Sequence, residues 1–269
     1  MFDSGFGGLT VARALIDLLP GEDLVYVGDT GRYPYGPRSL DEVAGFARQI
    51  ADHLVRDHDV KLLVVACNTA TAAALDTLRA ELPVPIVGVI EPGVRSLVRA
   101  TETGRVGVIG TVGTVRSGAY QRAVAATGAD VDLTIAACPG FVEFVERGET
   151  HSDQVLVLAE RLLAPVIDAK VDALLLGCTH YPFLARALSD VVGREVVLVS
   201  SADETAFEVR ALIAGGRPDL GAAAVGRHAP GHVGTHRFIS SGDVHHFREL
   251  GARLLGPELA SAEPAPWAD

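Results

Sequence analysis

Lysine is almost absent from this chain, occurring only at Lys61 and Lys170. Lys61 precedes an apolar strand-like run and Lys170 ends a helical one, so neither has the setting of a Schiff-base lysine, and no cofactor of the pyridoxal type is expected. Cysteine is scarce as well. Its three copies form no C-x-x-C pair and no even-numbered framework, which excludes a disulfide scaffold and points to a reducing compartment. No charged-then-apolar leader opens the chain, and no apolar run approaches the roughly 18 residues that span a bilayer. A soluble cytoplasmic protein with no membrane partner is expected. Positive charge is in deficit: 23 Lys and Arg against 34 Asp and Glu give a net charge of −11. That balance argues against nucleic acid or an anionic membrane as the main partner. Nucleotide motifs are missing too. Gly5 and Gly7 begin a G-x-G-x-x-G spacing but Thr10 breaks it, and no G-K-[ST] follows any glycine-rich run.

What the chain has is apolar material, 48% of 269 residues, enough for one large or two small cores. Strand-like runs fall at 24–27, 62–66, 86–89, 106–109, 131–136, 173–176, 196–199 and 237–240. Helical patterns lie between them, at 9–19, 40–58, 71–81, 117–127, 154–169, 183–192 and 204–214, and a last one at 247–255. Continuous apolar strands alternating with amphipathic helices predict an α/β protein with parallel sheets. A strand, a Cys, a Thr-containing turn and a helix recur at 62–75 and at 174–188. This weak repeat predicts two similar parallel-sheet α/β lobes with the active site in the cleft between them. Residues 1–94 with 210–269 would form the first lobe and residues 95–209 the second. The string GVIEPGV (88–94) would lead into the crossing between lobes. The Pro-, Ala- and Glu-rich tail from Pro257 reads as loose. Only Met1 and Phe2 precede the turn at Asp3–Gly8, where a strand normally needs about 5 residues; the expectation is that a first strand is clipped or that the true start lies upstream.

Two of the three cysteines occupy matched positions. LLVVACNTA carries Cys67, Asn68 and Thr69, and ALLLGCTHYP carries Cys178, Thr179 and His180. Each ends a buried-type strand and precedes a helical pattern, which places a thiol at the carboxyl edge of a parallel sheet near a helix N-terminus. Ligands bind at that edge, and thiols become more acidic there. A free cysteine taken alone is more often a small buried apolar residue. The hydrogen-bonding residues after both thiols favour the functional reading. Cys138, in AACPGF, lacks such neighbours and reads as structural.

A zinc site built from Cys67, Cys178 and His180 is the alternative use of these side chains. The chain has no H-E-x-x-H helix, and His232 and His236 in GHVGTH lie in a loop-like string, so no metal is expected. Asp3 stands ahead of a helical pattern. It is either an N-cap or a carboxylate that orients a thiol. His180 either packs passively or exchanges a proton with Cys178 or its substrate. In the loop GDTGRYPYGPRS, Tyr35 (by ring or backbone) and Gly36 (by its uncrowded amide) are binding candidates. Ser4 is no hydrolase elbow, because Phe2 stands where Gly is required.

These motifs together resemble the glutamate racemases of the cofactor-independent aspartate/glutamate racemase superfamily. The matching strings are FDSGFGGLT (2–10), YVGDTGRYPYGPRS (26–39), ACNTATAAAL (66–75), GVIEPG (88–93), VGVIGTVGTVRSGAY (106–120), CPGFVEFVERGE (138–149), GCTHYPFL (177–184) and SSGDVHHFRELG (240–251). They run through the chain in order. The resemblance implies an isomerase that interconverts L- and D-glutamate with two bases and supplies D-glutamate for peptidoglycan. Cys67 would deprotonate the D enantiomer and Cys178 the L enantiomer, each protonating the opposite face. Asp3 and His180 would assist their thiols, with Glu146 acting near His180. Asp3, Ser4, Tyr35, Gly36, Asn68, Thr69, Thr179 and His180 would bind substrate, and Thr111 and Thr114 would contact carboxylates. No cofactor is implied, and a homodimer is. Two other readings stay open: an aspartate or other racemase of the same superfamily, and a non-catalytic binding or inhibitor protein of the same fold. Against the first, related aspartate racemases tend to carry Glu where His180 stands.

Overall fold

The computed structural model describes residues 1–215 and 231–267. From Met1 to Val89 the chain runs β1 (Phe2–Asp3), α1 (Leu9–Leu18), β2 (Leu24–Gly28), α2 (Leu40–Asp57), β3 (Leu63–Val65), α3 (Asn68–Glu81) and β4 (Ile86–Gly88). Next come α4 (Ile90–Ala100), β5 (Arg105–Gly110), α5 (Val112–Arg116), α6 (Ala119–Thr127), β6 (Asp132–Ala137), α7 (Phe141–Glu146), α8 (Asp153–Asp168) and β7 (Ala173–Gly177). A 3₁₀ turn at Tyr181–Leu184, α9 (Ala185–Val192) and β8 (Val197–Val199) follow. The remainder is α10 (Ala202–Ile213), β9 (His236–Ser240), α11 (Val244–Leu255) and β10 (Glu263–Pro264). Met1–Val89 with Ala202–Asp269 forms one compact unit, and Ile90–Ser201 forms another.

The first unit is built on a parallel sheet of order β10-β9-β2-β1-β3-β4. Short as it is, β1 occupies an interior position, with Phe2 opposite Val27 on one side and Val65 on the other. Apolar side chains pack on both faces of this sheet, and β1, β3 and β4 are buried at every residue, as their unbroken apolar runs require, while β2 and β9 are buried only in their last three residues. The capping pair Ser39 and Glu42 begins α2, with the Ser39 hydroxyl accepting from the Glu42 amide at 3.2 Å. That helix buries Val43, Ala47, Ile50, Ala51 and Leu54 along one face. The second unit holds a parallel sheet of order β6-β5-β7-β8. Gly177 allows β7 to lie tight against β5, since a Cβ there would sit 2.6 Å from the Ile109 carbonyl oxygen.

Three features depart from the sequence reading. The tail from Pro257 is not loose. Its β10 pairs with β9, placing Glu263 opposite Ile239, while Leu259 and Ala265 are buried. A proline is tolerated on an edge strand, so composition alone misleads here. Three helices run where the pattern shows none, α4, α5 and α7. The first carries Pro92 and Gly93, poor formers of a helix interior, but Pro92 falls in the first turn where its missing N–H costs nothing. The other two have only five and six residues, too few for a periodic signal. Finally, the helix expected at 183–192 is split into the 3₁₀ turn and α9.

Candidate active site

The first unit presents Cys67 at the junction of β3 and α3. Its backbone is extended (φ −77°, ψ 124°), and its side chain caps the helix, with Sγ accepting from the Ala70 amide at 3.4 Å. The positive end of the α3 dipole therefore faces the sulfur and favours its negative form. The thiol also points at the Ser4 hydroxyl, 3.7 Å away. Ser4 follows β1, the strand beside β3, so the ends of neighbouring strands bring Asp3, Ser4 and Cys67 to one edge. Asp3 is fully buried, and its Oδ1 accepts from the Gly5 amide at 2.9 Å. Gly8 is required where the turn closes over it, because a Cβ would come within 2.5 Å of the Asp3 Cβ. Asn68 and Thr69 begin α3 and are buried.

Tyr35 is buried in the same apolar cluster as Cys67, and its hydroxyl donates to the Asp29 carboxylate. With that bond made, Tyr35 offers a ligand its backbone and the half-buried Gly36 beside it rather than a free phenol.

The second unit presents Cys178 just after β7. No α-helix follows directly. The 3₁₀ turn intervenes, which corrects the expectation that both thiols face a helix N-terminus. A histidine takes the helix's place: His180 Nδ1 lies 3.9 Å from the sulfur, and its Nε2 lies 2.7 Å from Glu146 Oε1 at the end of α7. A carboxylate at Nε2 holds the ring proton there and leaves Nδ1 as an acceptor for the S–H. Both His180 and Cys178 are buried. Thr111, which follows the neighbouring β5 and caps α5, bonds Thr114 hydroxyl to hydroxyl at 3.0 Å. Thr179 is buried next to the thiol.

Cys138 is 1% exposed, and burial, with a smaller contribution from Cys178, pushes its thiol up to about 12. A thiol so reluctant to ionise is a packing residue. Its carbonyl accepts from the Tyr181 hydroxyl at 3.0 Å, which braces the 3₁₀ turn beneath Cys178. Among the described residues, no three His, Cys, Asp or Glu side chains are grouped to hold a metal ion. The residue that motif reading overlooks is Asp29, fully buried between Arg32, Tyr35 and Ser241.

The family model for Asp/Glu/Hydantoin racemase matches residues 9–207. A glutamate racemase of Acidothermus cellulolyticus is 53% identical over 260 residues, covering 96% of this chain and 95% of that one. Among solved structures, a glutamate racemase isoform from Bacillus anthracis superposes with a TM-score of 0.87 at 37% identity, covering 98% of this chain and 94% of that one. The glutamate racemase of Francisella tularensis, solved in complex with D-glutamate, gives 0.87 at 30% identity over 99% and 96% of the two chains. Since the family model spans most of the chain and relatives match it nearly end to end, this protein belongs to the Asp/Glu/Hydantoin racemase family.

Proposed function

We propose that the chain is a glutamate racemase that exchanges the α-proton of glutamate between two thiols, Cys67 and Cys178. The observation that carries this reading is that each unit ends a buried strand in a thiol with its own activating group: the α3 N-terminus for Cys67 and the His180–Glu146 pair for Cys178. In one direction the Cys67 thiolate removes the α-proton of D-glutamate and the Cys178 thiol protonates the opposite face. In the other direction the roles exchange, so each turnover leaves the enzyme with one thiolate and one thiol. Asp3 serves Cys67, and His180 with Glu146 serves Cys178. Asn68, Thr69, Thr179, Thr111, Thr114, Ser4 and the Tyr35–Gly36 backbone hold the substrate's carboxylates and ammonium.

The α-proton of an amino acid is weakly acidic, and one positioned base contributes only about 10²–10⁴-fold. Buried amides and hydroxyls around each thiol supply the rest by stabilising the carbanion and its carboxylate in a site shielded from water. The relatives' names support glutamate as substrate, and His180 favours it over aspartate. D-Glutamate made here would enter peptidoglycan. Three free cysteines fit a reducing, cytoplasmic setting. We assign the active form as a homodimer, which sedimentation equilibrium tests.

The test of the reaction is dialysed protein with no added pyridoxal phosphate, nucleotide or metal, given L-glutamate or L-aspartate and followed by circular dichroism. Loss of optical activity is expected with glutamate alone. Activity abolished by chelation and restored by zinc would overturn the thiol-only reading. Racemisation of aspartate alone would move the substrate.

A further inference from the structure

We infer that Asp29 is a positioning residue for the Cys67 half of the site, acting through Tyr35; this rests on the racemase reading above. Asp29 directly follows β2 and is fully buried, with its amide donating to the Asp3 carbonyl at 3.0 Å. Its two carboxylate oxygens collect a full set of donors. Arg32 Nε reaches both, at 3.0 and 2.8 Å, the Ser241 hydroxyl donates at 2.5 Å, and the Tyr35 hydroxyl completes the set. Ser241 in turn accepts from the Gly31 amide at 3.0 Å, and the Thr30 and Ser240 hydroxyls meet at 2.7 Å. The loop after β2 is thereby stitched to the end of β9 on one side and to Tyr35 on the other.

Burying a carboxylate is a costly way to hold a loop, and a matched apolar contact holds it more cheaply. A planar carboxylate offers what an apolar contact cannot: four directional bonds that fix one geometry. The geometry fixed is that of the Tyr35 ring, which packs in the cluster containing Cys67, and of the Gly36 amide that follows it. Burial first, then the negative charges of Asp29 and Cys67, raise the Tyr35 phenol far above its ordinary value, so the hydroxyl stays a neutral donor to Asp29.

The experiment compares wild type with Asp29→Asn, Tyr35→Phe and the double variant. Two readouts are taken: steady-state racemisation of glutamate, and the rate at which iodoacetamide alkylates Cys67 and Cys178, quantified peptide by peptide. In Asp29→Asn, KM is expected to rise at least about ten-fold with kcat changed much less, because a misplaced binding arm weakens substrate capture. Cys67 alkylation is expected to accelerate while that of Cys178 stays at the wild-type rate. The double variant is expected to be no worse than Asp29→Asn, since both changes break one link. Should Asp29→Asn fail to fold, Tyr35→Phe leaves the carboxylate its other partners and reports the same two quantities. An unchanged KM with activity falling only as the folded fraction falls, or alkylation of both thiols shifting together, overturns the inference. Wild type inert on glutamate would sink the substrate assignment instead, and the alkylation rates would then decide the role of Asp29 by themselves.

Discussion

Cys67 and Cys178 stand at equivalent places in two parallel sheets, yet the protein surrounds them differently. Cys67 caps an α-helix, and its sulfur takes a backbone N–H from Ala70. Cys178 faces a 3₁₀ turn too short to present a comparable dipole and has His180 beside it instead, with Glu146 on the far ring nitrogen. On the function proposed above, the same chemical task would be met once by a fixed dipole that cannot titrate and once by an imidazole that can. The difference teaches that a sequence repeat specifies where a reactive group stands and leaves open how it is activated.

The largest effect that can break this comparison comes from the thiols themselves. Cys67→Ser and Cys178→Ser are each expected to lower full racemisation by at least about 10³-fold, because a serine hydroxyl is a far weaker acid than a thiol. Steady-state activity with either variant close to wild type would end the two-thiol account.

Next in size is the relay. In a Cys67→Ser background, Glu146→Gln is expected to slow Cα deuterium exchange into L-glutamate by about ten- to a hundred-fold, since the His180 tautomer is no longer fixed. In a Cys178→Ser background the same change is expected to leave exchange into D-glutamate untouched. Asp3→Asn is expected to give the mirror result. Equal losses on both sides would mean that Glu146 supports the fold rather than one thiol.

A smaller effect lies away from the site and concerns the second unit alone. Burial pushes the Asp172 carboxyl up, but hydrogen bonds from the Thr101 hydroxyl and the Thr103 and Glu102 amides outweigh it and bring it to about 2, from an ordinary 3.8. A depressed carboxyl adds stability that is present above the unfolded value and is lost as pH falls through the folded one. With solvent screening at this half-buried group, Asp172→Asn is expected to cost about 1 kcal/mol at pH 7. Urea titrations should show the gap between wild type and variant shrinking as pH falls from 4 toward 2. The smallest expected effect is that of Cys138→Ser on racemisation, which should remain near wild type because that thiol is a packing group. Loss of activity in a folded Cys138→Ser protein would move it into the mechanism.

Much of the site is legible in the sequence because its parts are local. Cys67, Asn68 and Thr69, and Cys178, Thr179 and His180, follow strands that announce themselves as apolar runs. Glu146 is 34 residues from His180, and nothing in FVEFVERG signals that its carboxylate faces an imidazole. It is reached only through the family resemblance. Asp29 hides for another reason: an aspartate among glycines and prolines reads as a solvated turn former, and only the folded loop shows it buried. The tail hides because composition argues for looseness, while Leu259 and the pairing of β10 with β9 anchor it. The 3₁₀ turn hides because Pro182 falls at its start, where a proline fits an α-helix equally well.

The central claim is that each thiol serves one enantiomer. Its most direct test is Cα deuterium wash-in from D₂O, measured on pure L- and pure D-glutamate with Cys67→Ser and with Cys178→Ser. The account predicts exchange into L-glutamate only in Cys67→Ser and into D-glutamate only in Cys178→Ser, each without appreciable inversion. Exchange into both enantiomers by either variant, or the reversed pairing, would contradict it.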